Sequence, residues 1–289
     1  MPNIQYSISH IDLELTNYCN LSCWMCPRND MTRKVGYIDP DIVKKIAASP
    51  IGGTLKTMNL HLFGESILHP KLRQILEILR AAFPNVWLSF STNGSFLTVS
   101  RFKELVGLLD NLYISIDGIS EEVYAAHRVG SNYQKTIANI TEVLAHRKQH
   151  SLDRPRVEIR MIDLGQAENE RNKYFEYWQP HLLQNDNISI KPVESFAGTV
   201  SKLADIKRDS CPFLYRGVAI HWNGDVSTCC YDSDGKNVMG NVMKHDLLGI
   251  FRSKKYEEMR TWYETGTLQN KADLLCHTCL VENYMAKKA

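Results

Sequence analysis

The hydrophobic positions in the first two thirds of the chain follow two periods in turn. Short apolar runs rich in β-branched and aromatic residues predict strands, and longer stretches with apolar residues every three or four positions predict amphipathic helices. The predicted strands are Ile11–Thr16, Met58–Phe63, Val86–Ser91, Leu112–Ile116, Val157–Met161 and Ile188–Val193. The clearest helical patterns between them are Pro40–Ala48, Lys71–Phe83 and Tyr133–Arg147.

This alternation of strands and helices is typical of βαβ units on a parallel sheet. Six units, rather than the eight of a complete barrel, predict an α/β fold with a partial (β/α)6 TIM-like barrel. Ligands of parallel sheets bind at the carboxyl ends of the strands. Cys19, Glu65, Asn93 and Asp117 each follow a predicted strand, which places a candidate site at that edge.

The pattern changes after about Asp205. The runs Gly217–His221 and Asp225–Thr228 flank Asn223-Gly224, a dipeptide typical of β-hairpin turns. Another short run and two helical segments follow, at Asn237–Val242, Leu247–Ile250 and Tyr256–Tyr263. We therefore predict two domains, a barrel over residues 1–205 and a small module of hairpin and helices over residues 206–289.

The overall charge and hydropathy of the chain exclude several partners. The formal net charge is only +2, which does not indicate binding to nucleic acid. No apolar stretch approaches the roughly 18 residues of a membrane-spanning helix, and the N-terminus lacks the pattern of a secretory signal. We therefore predict a cytoplasmic protein with no membrane partner. In a reducing compartment its eight cysteines are expected to bind metal or act in catalysis rather than form disulfides.

Three cysteines form a compact motif, Cys19-x-x-x-Cys23-x-x-Cys26, directly after the first predicted strand. Three thiolates on a short loop can hold three irons of a 4Fe-4S cluster and leave the fourth iron open to a ligand. A structural zinc site is the alternative, but it requires four protein ligands. No fourth cysteine or nearby histidine completes this set, so the motif favours the iron-sulfur cluster.

The run from Asn17 to Pro27, NYCNLSCWMCP, resembles the signature loop of the radical S-adenosylmethionine (SAM) superfamily. The resemblance implies that the open iron binds the amino and carboxylate groups of SAM, and that reductive cleavage releases a 5′-deoxyadenosyl radical. Met25 stands where the family typically has an aromatic residue near adenine, and a flexible thioether can fill the same place.

Further motifs follow the predicted strands in the order that the family shows. Phe63-Gly64-Glu65 resembles the family's Gly-Gly-Glu motif, which holds the amino group of SAM, although Ser66 replaces a frequent proline. Thr92-Asn93-Gly94 and Ser115-Ile116-Asp117-Gly118 resemble motifs of the subgroup with C-terminal cluster domains. The resemblance thus implies SAM-site residues across the barrel, namely Met25, Phe63, Gly64, Glu65, Thr92, Asn93, Ser115, Asp117, Arg128 and Met161.

The other five cysteines lie in the C-terminal quarter. Cys211, Cys229, Cys276 and Cys279 resemble the Twitch module, the short form of the SPASM auxiliary-cluster domain. Because no cysteine follows Cys279, the resemblance implies one auxiliary 4Fe-4S cluster held by four thiolates, with a four-cysteine zinc site as the alternative. Cys230 is left over. It is either a small buried hydrophobe or a thiol that gives a hydrogen atom to a substrate radical.

The motifs leave the reaction open among three classes. The first, which we favour, is a dehydrogenase that acts on an alcohol carbon of a small polyol, aminocyclitol or sugar, with the auxiliary cluster accepting an electron. Its basis is the resemblance of this compact chain to the aminocyclitol dehydrogenases of antibiotic biosynthesis. The second is a redox-neutral epimerase with Cys230 as the hydrogen donor, and the third is a peptide maturase. A non-enzymatic iron-sulfur scaffold or electron carrier is an alternative of a different kind.

The residues that face the substrate are the least defined by the sequence. His61, on the second predicted strand, is either a packed structural group or a catalytic one. Glu158 and Arg160 alternate with apolar neighbours on the fifth predicted strand, so they bind substrate hydroxyls or face solvent. The resemblance implies a small-molecule substrate and an electron donor of the flavodoxin or ferredoxin type.

Overall fold

The computed structural model describes residues 6–200 and 210–279, and in these ranges all strands belong to one sheet. Its order is β6-β5-β4-β3-β2-β1-β7-β8-β9. The strands are β1 (His10–Leu13), β2 (Thr57–Asn59), β3 (Trp87–Thr92), β4 (Asn111–Ser115), β5 (Arg156–Asp163), β6 (Asn187–Pro192), β7 (Gly217–Ile220), β8 (Asp225–Ser227) and β9 (Val238–Asn241).

The first six strands run parallel in chain order, and β6 forms one edge of the sheet. This arrangement confirms the predicted α/β fold with an open, partial barrel. The α-helices of the described residues are α1 (Pro40–Ala47), α2 (Leu72–Ala82), α3 (Val99–Lys103), α4 (Glu121–His127), α5 (Tyr133–Gln149), α6 (Glu168–Trp178), α7 (Phe213–Arg216), α8 (Leu247–Phe251) and α9 (Lys254–Glu264). Within that part of the chain, no helix has the length and apolar character needed to cross a bilayer.

Helix α6 has no counterpart among the helices that the hydrophobic pattern predicts. Its buried positions are Glu170, Tyr174 and Trp178, which lie four residues apart on one face. The Glu170 carboxylate accepts hydrogen bonds from the backbone N–H groups of Ile119 (2.6 Å) and Ser120 (2.9 Å) at the start of α4. An inward face made of one carboxylate and two polar-tipped aromatics gives almost no apolar periodicity, so the sequence pattern misses it.

The first two strands end earlier than the sequence pattern predicts. β1 ends at Leu13 rather than Thr16, and β2 ends at Asn59 rather than Phe63. Leu15, Leu60 and Phe63 beyond these ends remain buried, and they produce the strand-like pattern. His61 therefore follows β2 instead of lying within it.

The C-terminal part continues the same sheet. β7 pairs in parallel with β1, and β8 and β9 add antiparallel strands beyond it. The side chains of this part pack around Arg260, whose guanidinium lies over the rings of Tyr6 (4.1 Å), Phe251 (4.6 Å) and Tyr256 (4.9 Å). The predicted domain boundary between residues 205 and 206 lies outside the described residues and stays a prediction.

Candidate active site with two cysteine-lined cavities

A cavity of about 460 Å³ opens at the carboxyl ends of the barrel strands. Its walls bring together residues from the loop after β1, the ends of β3, β4 and β5, and the segments that follow β2 and β6. Twelve of the residues predicted for the site line it: Cys19, Cys23, Met25, Cys26, His61, Phe63, Gly64, Glu65, Thr92, Asn93, Ser115 and Arg128. We refer to it as the SAM-site cavity.

The three thiols of this cavity lie on the loop that follows β1. The loop folds on itself, since the Cys26 N–H donates to the Cys23 carbonyl (3.0 Å) and the Arg28 guanidinium donates to the Leu21 carbonyl (2.6 Å). Burial, followed by the Glu65 carboxylate, raises the pKa of the Cys19 thiol to about 11. Bound iron removes the proton from a ligating thiol outright, so buried and half-buried thiols on one loop suit a metal cluster.

Neighbouring side chains also donate toward these sulfurs. The Asn93 amide nitrogen lies 3.8 Å from the Cys19 sulfur, and an Arg128 nitrogen lies 3.9 Å from the Cys23 sulfur. Donors to cluster sulfurs tune the reduction potential of an iron-sulfur centre. Asn93 and Arg128 are therefore placed to influence a cluster as well as a ligand on it.

Glu65 provides a specific test of whether the cavity suits SAM. One carboxylate oxygen accepts a hydrogen bond from the Asn93 backbone N–H (2.8 Å). The other oxygen, Oε1, is buried and has no hydrogen-bond partner among the described residues. Burial raises the pKa of this carboxyl group to about 7. An unpaired buried carboxylate oxygen in a cavity wall fits an N–H donor such as the amino group of SAM.

Gly64 is required by the same arrangement. A Cβ atom at this position would lie 2.1 Å from the carbonyl oxygen of Thr16 and 2.8 Å from the Cα of Asn17. The adjacent Glu65 N–H donates to the Tyr18 carbonyl (2.8 Å). Only glycine allows the segment after β2 to pack this closely against the start of the cysteine loop.

Two of the predicted SAM-site residues do not line the cavity. Asp117 is fully buried behind it, where its carboxylate accepts hydrogen bonds from Arg128 (2.5 Å) and from the Ile162 N–H (2.8 Å). It thus orients Arg128, which does line the cavity. Met161 lies in the hydrophobic core. Its neighbours Arg160 and Ile162 line the cavity, because successive side chains on β5 point to opposite faces.

His61 lines the cavity as a neutral side chain. Its Nδ1 accepts a hydrogen bond from the Ser91 backbone N–H (3.2 Å), which leaves the imidazole proton on Nε2. Burial lowers the pKa of His61 to about 4. At neutral pH this imidazole is therefore suited to donate a hydrogen bond and poorly suited to take up a proton.

Several charged residues of the cavity wall were not assigned to it from the sequence. Arg160 lies over the Tyr113 ring (3.4 Å to its centre) and pairs with Glu158 (2.7 Å), which also lies 3.8 Å from Lys191. Arg160, Lys191 and Glu194 line the cavity, and Glu158 supports two of them from behind. The alternation on β5 pointed to Arg160, but no motif marks Lys191 or Glu194.

A second cavity, of about 170 Å³, collects all five C-terminal cysteines. Its lining includes the four predicted ligands and the spare thiol, namely Cys211, Cys229, Cys230, Cys276 and Cys279. They come from the segment before α7, the loop after β8 and the C-terminal turn. We refer to it as the auxiliary cavity. Among the described residues, no group of three or more His, Cys, Asp or Glu side chains is close enough to hold a single metal ion.

Asn237 is a buried connection between the segments that carry these thiols. Its side-chain nitrogen donates to the Cys276 sulfur (3.3 Å) and to the Thr228 hydroxyl (3.2 Å). Its side-chain oxygen accepts from the Leu275 N–H (3.0 Å). The sequence placed Asn237 only at the start of a strand, and its contact with a cysteine depends on a residue almost forty positions away.

The spare thiol Cys230 lines the auxiliary cavity and not the SAM-site cavity. Its neighbour Cys229 is half-buried, and the interaction with Cys230, followed by burial, raises the pKa of the Cys229 thiol. Cys230 thus belongs to the surroundings of the four predicted auxiliary ligands.

Comparisons with known proteins agree with this arrangement of two cavities. A sequence model of the radical SAM superfamily matches residues 13–155, and a model of the SPASM iron-sulfur cluster-binding domain matches residues 211–280. The SAM-dependent 2-deoxy-scyllo-inosamine dehydrogenase of Niallia circulans is 24% identical over 281 residues, which cover 94% of this chain and 92% of that protein.

Solved structures show the same fold at low sequence identity. The crystal structure of BtrN with AdoMet and 2-DOIA matches with a TM-score of 0.64 and 18% identity, over 94% of this chain and 93% of that chain. Streptococcus suis SuiB bound to its precursor peptide SuiA matches with a TM-score of 0.72 and 12% identity, over 89% of this chain and 67% of that chain. From its motifs, its fold and these matches, the chain belongs to the radical SAM superfamily, and it uses SAM, a SAM-binding 4Fe-4S cluster and an auxiliary iron-sulfur cluster of the SPASM type.

Proposed function

We propose that the protein is a radical SAM dehydrogenase that oxidises an alcohol carbon of a small polar substrate, such as an aminocyclitol or a sugar, with the auxiliary cluster as electron acceptor. The observation that carries this proposal is that one short segment after β6 borders both cavities. Val193, Glu194 and Phe196 line the SAM-site cavity, and Ala197 lines the auxiliary cavity. A substrate held against this segment would lie near both reaction centres.

The size and lining of the SAM-site cavity support a small, polar substrate. About 460 Å³ lies within the usual range for small-molecule sites. Arg160, Lys191, Glu194 and His61 supply charged groups and a hydrogen-bond donor suited to hydroxyl and amino groups. The similar Niallia circulans dehydrogenase, which matches nearly from end to end, acts on 2-deoxy-scyllo-inosamine.

SAM, when bound at the cluster, supplies the 5′-deoxyadenosyl radical. In the proposed reaction the substrate carbon gives a hydrogen atom to that radical. The substrate hydroxyl would lose its proton to a base, and a cluster held by Cys211, Cys229, Cys276 and Cys279 would supply the one-electron acceptor that converts the alcohol to a carbonyl. Glu65 and Arg128 would hold the amino and carboxylate groups of SAM, and His61 would donate a hydrogen bond rather than act as the base.

The epimerase alternative requires a hydrogen donor close to the substrate radical. Cys230, the thiol suggested for that role, lines the auxiliary cavity and not the SAM-site cavity. The peptide maturase alternative draws on the fold shared with SuiB at 12% identity, and a fold alone does not fix the substrate. The placement of Cys230 and the near end-to-end match to the Niallia circulans dehydrogenase favour the dehydrogenase.

The proposal is tested by anaerobic reaction of the reduced, cluster-loaded protein with SAM and 2-deoxy-scyllo-inosamine, with scyllo-inositol and simple sugars as comparison substrates. We expect 5′-deoxyadenosine together with a product that has lost two hydrogens, and we expect Cys230→Ala to turn over. Reaction in deuterated water separates the alternatives, because thiol hydrogens exchange with solvent. A product of unchanged oxidation state that carries one non-exchangeable deuterium, lost in Cys230→Ala, would establish the epimerase instead.

A further inference from the structure

The segment that borders both cavities, residues 193–198, has an unusual backbone. We refer to it as the shared wall. Phe196 and Ala197 have φ angles of 54° and 57°, and Gly198 has a φ of 81°. Residues other than glycine rarely adopt these left-handed backbone angles, because their Cβ atom crowds the backbone there. Two such residues in succession persist only where the surrounding structure holds them.

The C-terminal cysteine turn holds the shared wall from one side. The Thr278 hydroxyl, between Cys276 and Cys279, donates to the Ala197 carbonyl (2.5 Å). A Cβ atom at Gly198 would lie 3.4 Å from the Thr278 Cβ, so the two backbones are in close contact. The tether therefore comes from the turn that carries two of the auxiliary thiols.

The loop after β8 holds the shared wall from the other side. The Tyr231 hydroxyl donates to a carboxylate oxygen of Glu194, and its ring packs edge-on against Phe196, with 5.2 Å between ring centres. The Tyr231 N–H donates to the Cys229 sulfur (3.4 Å). One residue thus contacts an auxiliary thiol and two residues that line the SAM-site cavity.

We propose that the two cysteine loops of the auxiliary site position the shared wall through Thr278 and Tyr231. The auxiliary cluster would then have two roles, since its loading would order one side of the SAM-site cavity as well as provide an electron acceptor. Thr278 and Tyr231 are positioning residues, because they act through Ala197, Glu194 and Phe196. The electron-acceptor role and the identity of the substrate rest on the dehydrogenase function proposed above, and the ordering of the shared wall does not.

Hydrogen–deuterium exchange of residues 195–200 tests this ordering without any substrate. The amides of Gly198, Thr199 and Val200 donate to Ser195 or Phe196 within the segment. Their exchange rates therefore report how often these local hydrogen bonds break. We expect Cys276→Ala/Cys279→Ala, which lacks two of the four predicted auxiliary ligands, to exchange roughly tenfold faster or more in this segment. Peptides of α1 and α2, whose residues line neither cavity, serve as the internal reference.

Thr278 variants separate the effect of the Thr278–Ala197 hydrogen bond from the effect of cluster loading. Thr278→Val keeps the shape of the side chain and removes the hydroxyl, and Thr278→Ser is the matched control that keeps it. With iron content equal to that of the wild type, we expect roughly 2- to 10-fold faster exchange in Thr278→Val, the effect of one lost hydrogen bond, and wild-type exchange in Thr278→Ser. Wild-type exchange in Thr278→Val, or in Cys276→Ala/Cys279→Ala, would overturn the proposal.

Tyr231→Phe provides a second test that does not touch the C-terminal turn. The ring stays on Phe196, and the hydroxyl contact with Glu194 is lost. We expect faster exchange of the same segment and a several-fold rise in KM for 2-deoxy-scyllo-inosamine with little change in kcat. Unchanged exchange in this variant would remove Tyr231 from the proposal. If the wild type oxidises no aminocyclitol, the proposed function fails, while the exchange results still decide the role of the cysteine loops.

Discussion

The two cysteine sites of this protein are built in opposite ways. The first takes its three thiols from one short loop of eight residues, from Cys19 to Cys26. The second takes its thiols from three segments that lie far apart in sequence, before α7, after β8 and in the C-terminal turn. A local loop can thus present three ligands by itself, whereas a set of four dispersed ligands depends on the fold.

The two sites also differ in how their polar side chains are hydrogen-bonded. In the SAM-site cavity, Glu65 keeps a buried carboxylate oxygen without a partner, which suits a wall that binds a charged ligand. In the auxiliary cavity, Asn237 uses both its nitrogen and its oxygen to connect the cysteine segments. A buried polar atom without a hydrogen-bond partner favours the binding of a ligand that supplies one. A polar side chain whose hydrogen bonds are all made within the protein favours a fixed environment, which suits an electron acceptor.

The largest expected effect comes from removing the ligands of either site. The protein should hold about eight irons per chain when both sites carry 4Fe-4S clusters. Alanine at Cys19, Cys23 and Cys26 should leave about four and abolish formation of 5′-deoxyadenosine. Alanine at Cys276 and Cys279 should also reduce the iron, yet leave some SAM cleavage. Iron assay and chromatography of 5′-deoxyadenosine measure both, and zinc in place of auxiliary iron would contradict the assignment.

The next effect concerns the unpaired oxygen of Glu65. Glu65→Gln keeps the shape but removes the charge, so it should weaken a charge-assisted hydrogen bond to the SAM amino group by about 1.5–3 kcal/mol. SAM affinity should fall roughly 10- to 150-fold, with iron content unchanged. Equilibrium dialysis with labelled SAM gives the measurement, and Glu77→Gln on the exposed face of α2 is the control. Equal SAM binding in both variants would show that Glu65 does not hold SAM.

A smaller effect should distinguish the environments of the two clusters. Asn237→Asp keeps the oxygen that accepts from Leu275 but removes the nitrogen that donates to the Cys276 sulfur. Loss of a donor and gain of negative charge both disfavour the reduced cluster, so the auxiliary reduction potential should fall. Redox titration followed by electron paramagnetic resonance reports it, with the SAM-site cluster in the same sample as the reference. A shift of both clusters, or of neither, would contradict a local role for Asn237.

The smallest effect is expected from His61. Because burial holds the pKa of His61 at about 4, below its usual value of 6.5, the imidazole stays neutral throughout the range above pH 5. His61→Gln should therefore leave the shape of the pH–rate profile between pH 6 and 8 unchanged, with at most a uniform loss in rate. An acidic limb between pH 6 and 8 that disappears in this variant would identify His61 as a titrating base.

The sequence by itself determined the features that rest on short-range spacing. The Cys19-x-x-x-Cys23-x-x-Cys26 loop, the motifs around Glu65 and Asn93, and the six strands of the partial barrel are all readable from local patterns. Chain order and strand polarity then put the motifs at one edge of the sheet. The auxiliary cysteines were also recognisable, because their order along the chain resembles a known module.

Only the tertiary structure decided what depends on contacts between distant segments. It separated Arg160 from Met161 by the face of β5 on which each lies, and it turned Asp117 away from the cavity and onto Arg128. It placed Cys230 in the auxiliary cavity. It also brought residues 193–198 between the two cavities, where Thr278 and Tyr231 hold them. No local pattern encodes the contacts of the shared wall, because their partners lie 37 and 81 residues away and meet only when the sheet assembles.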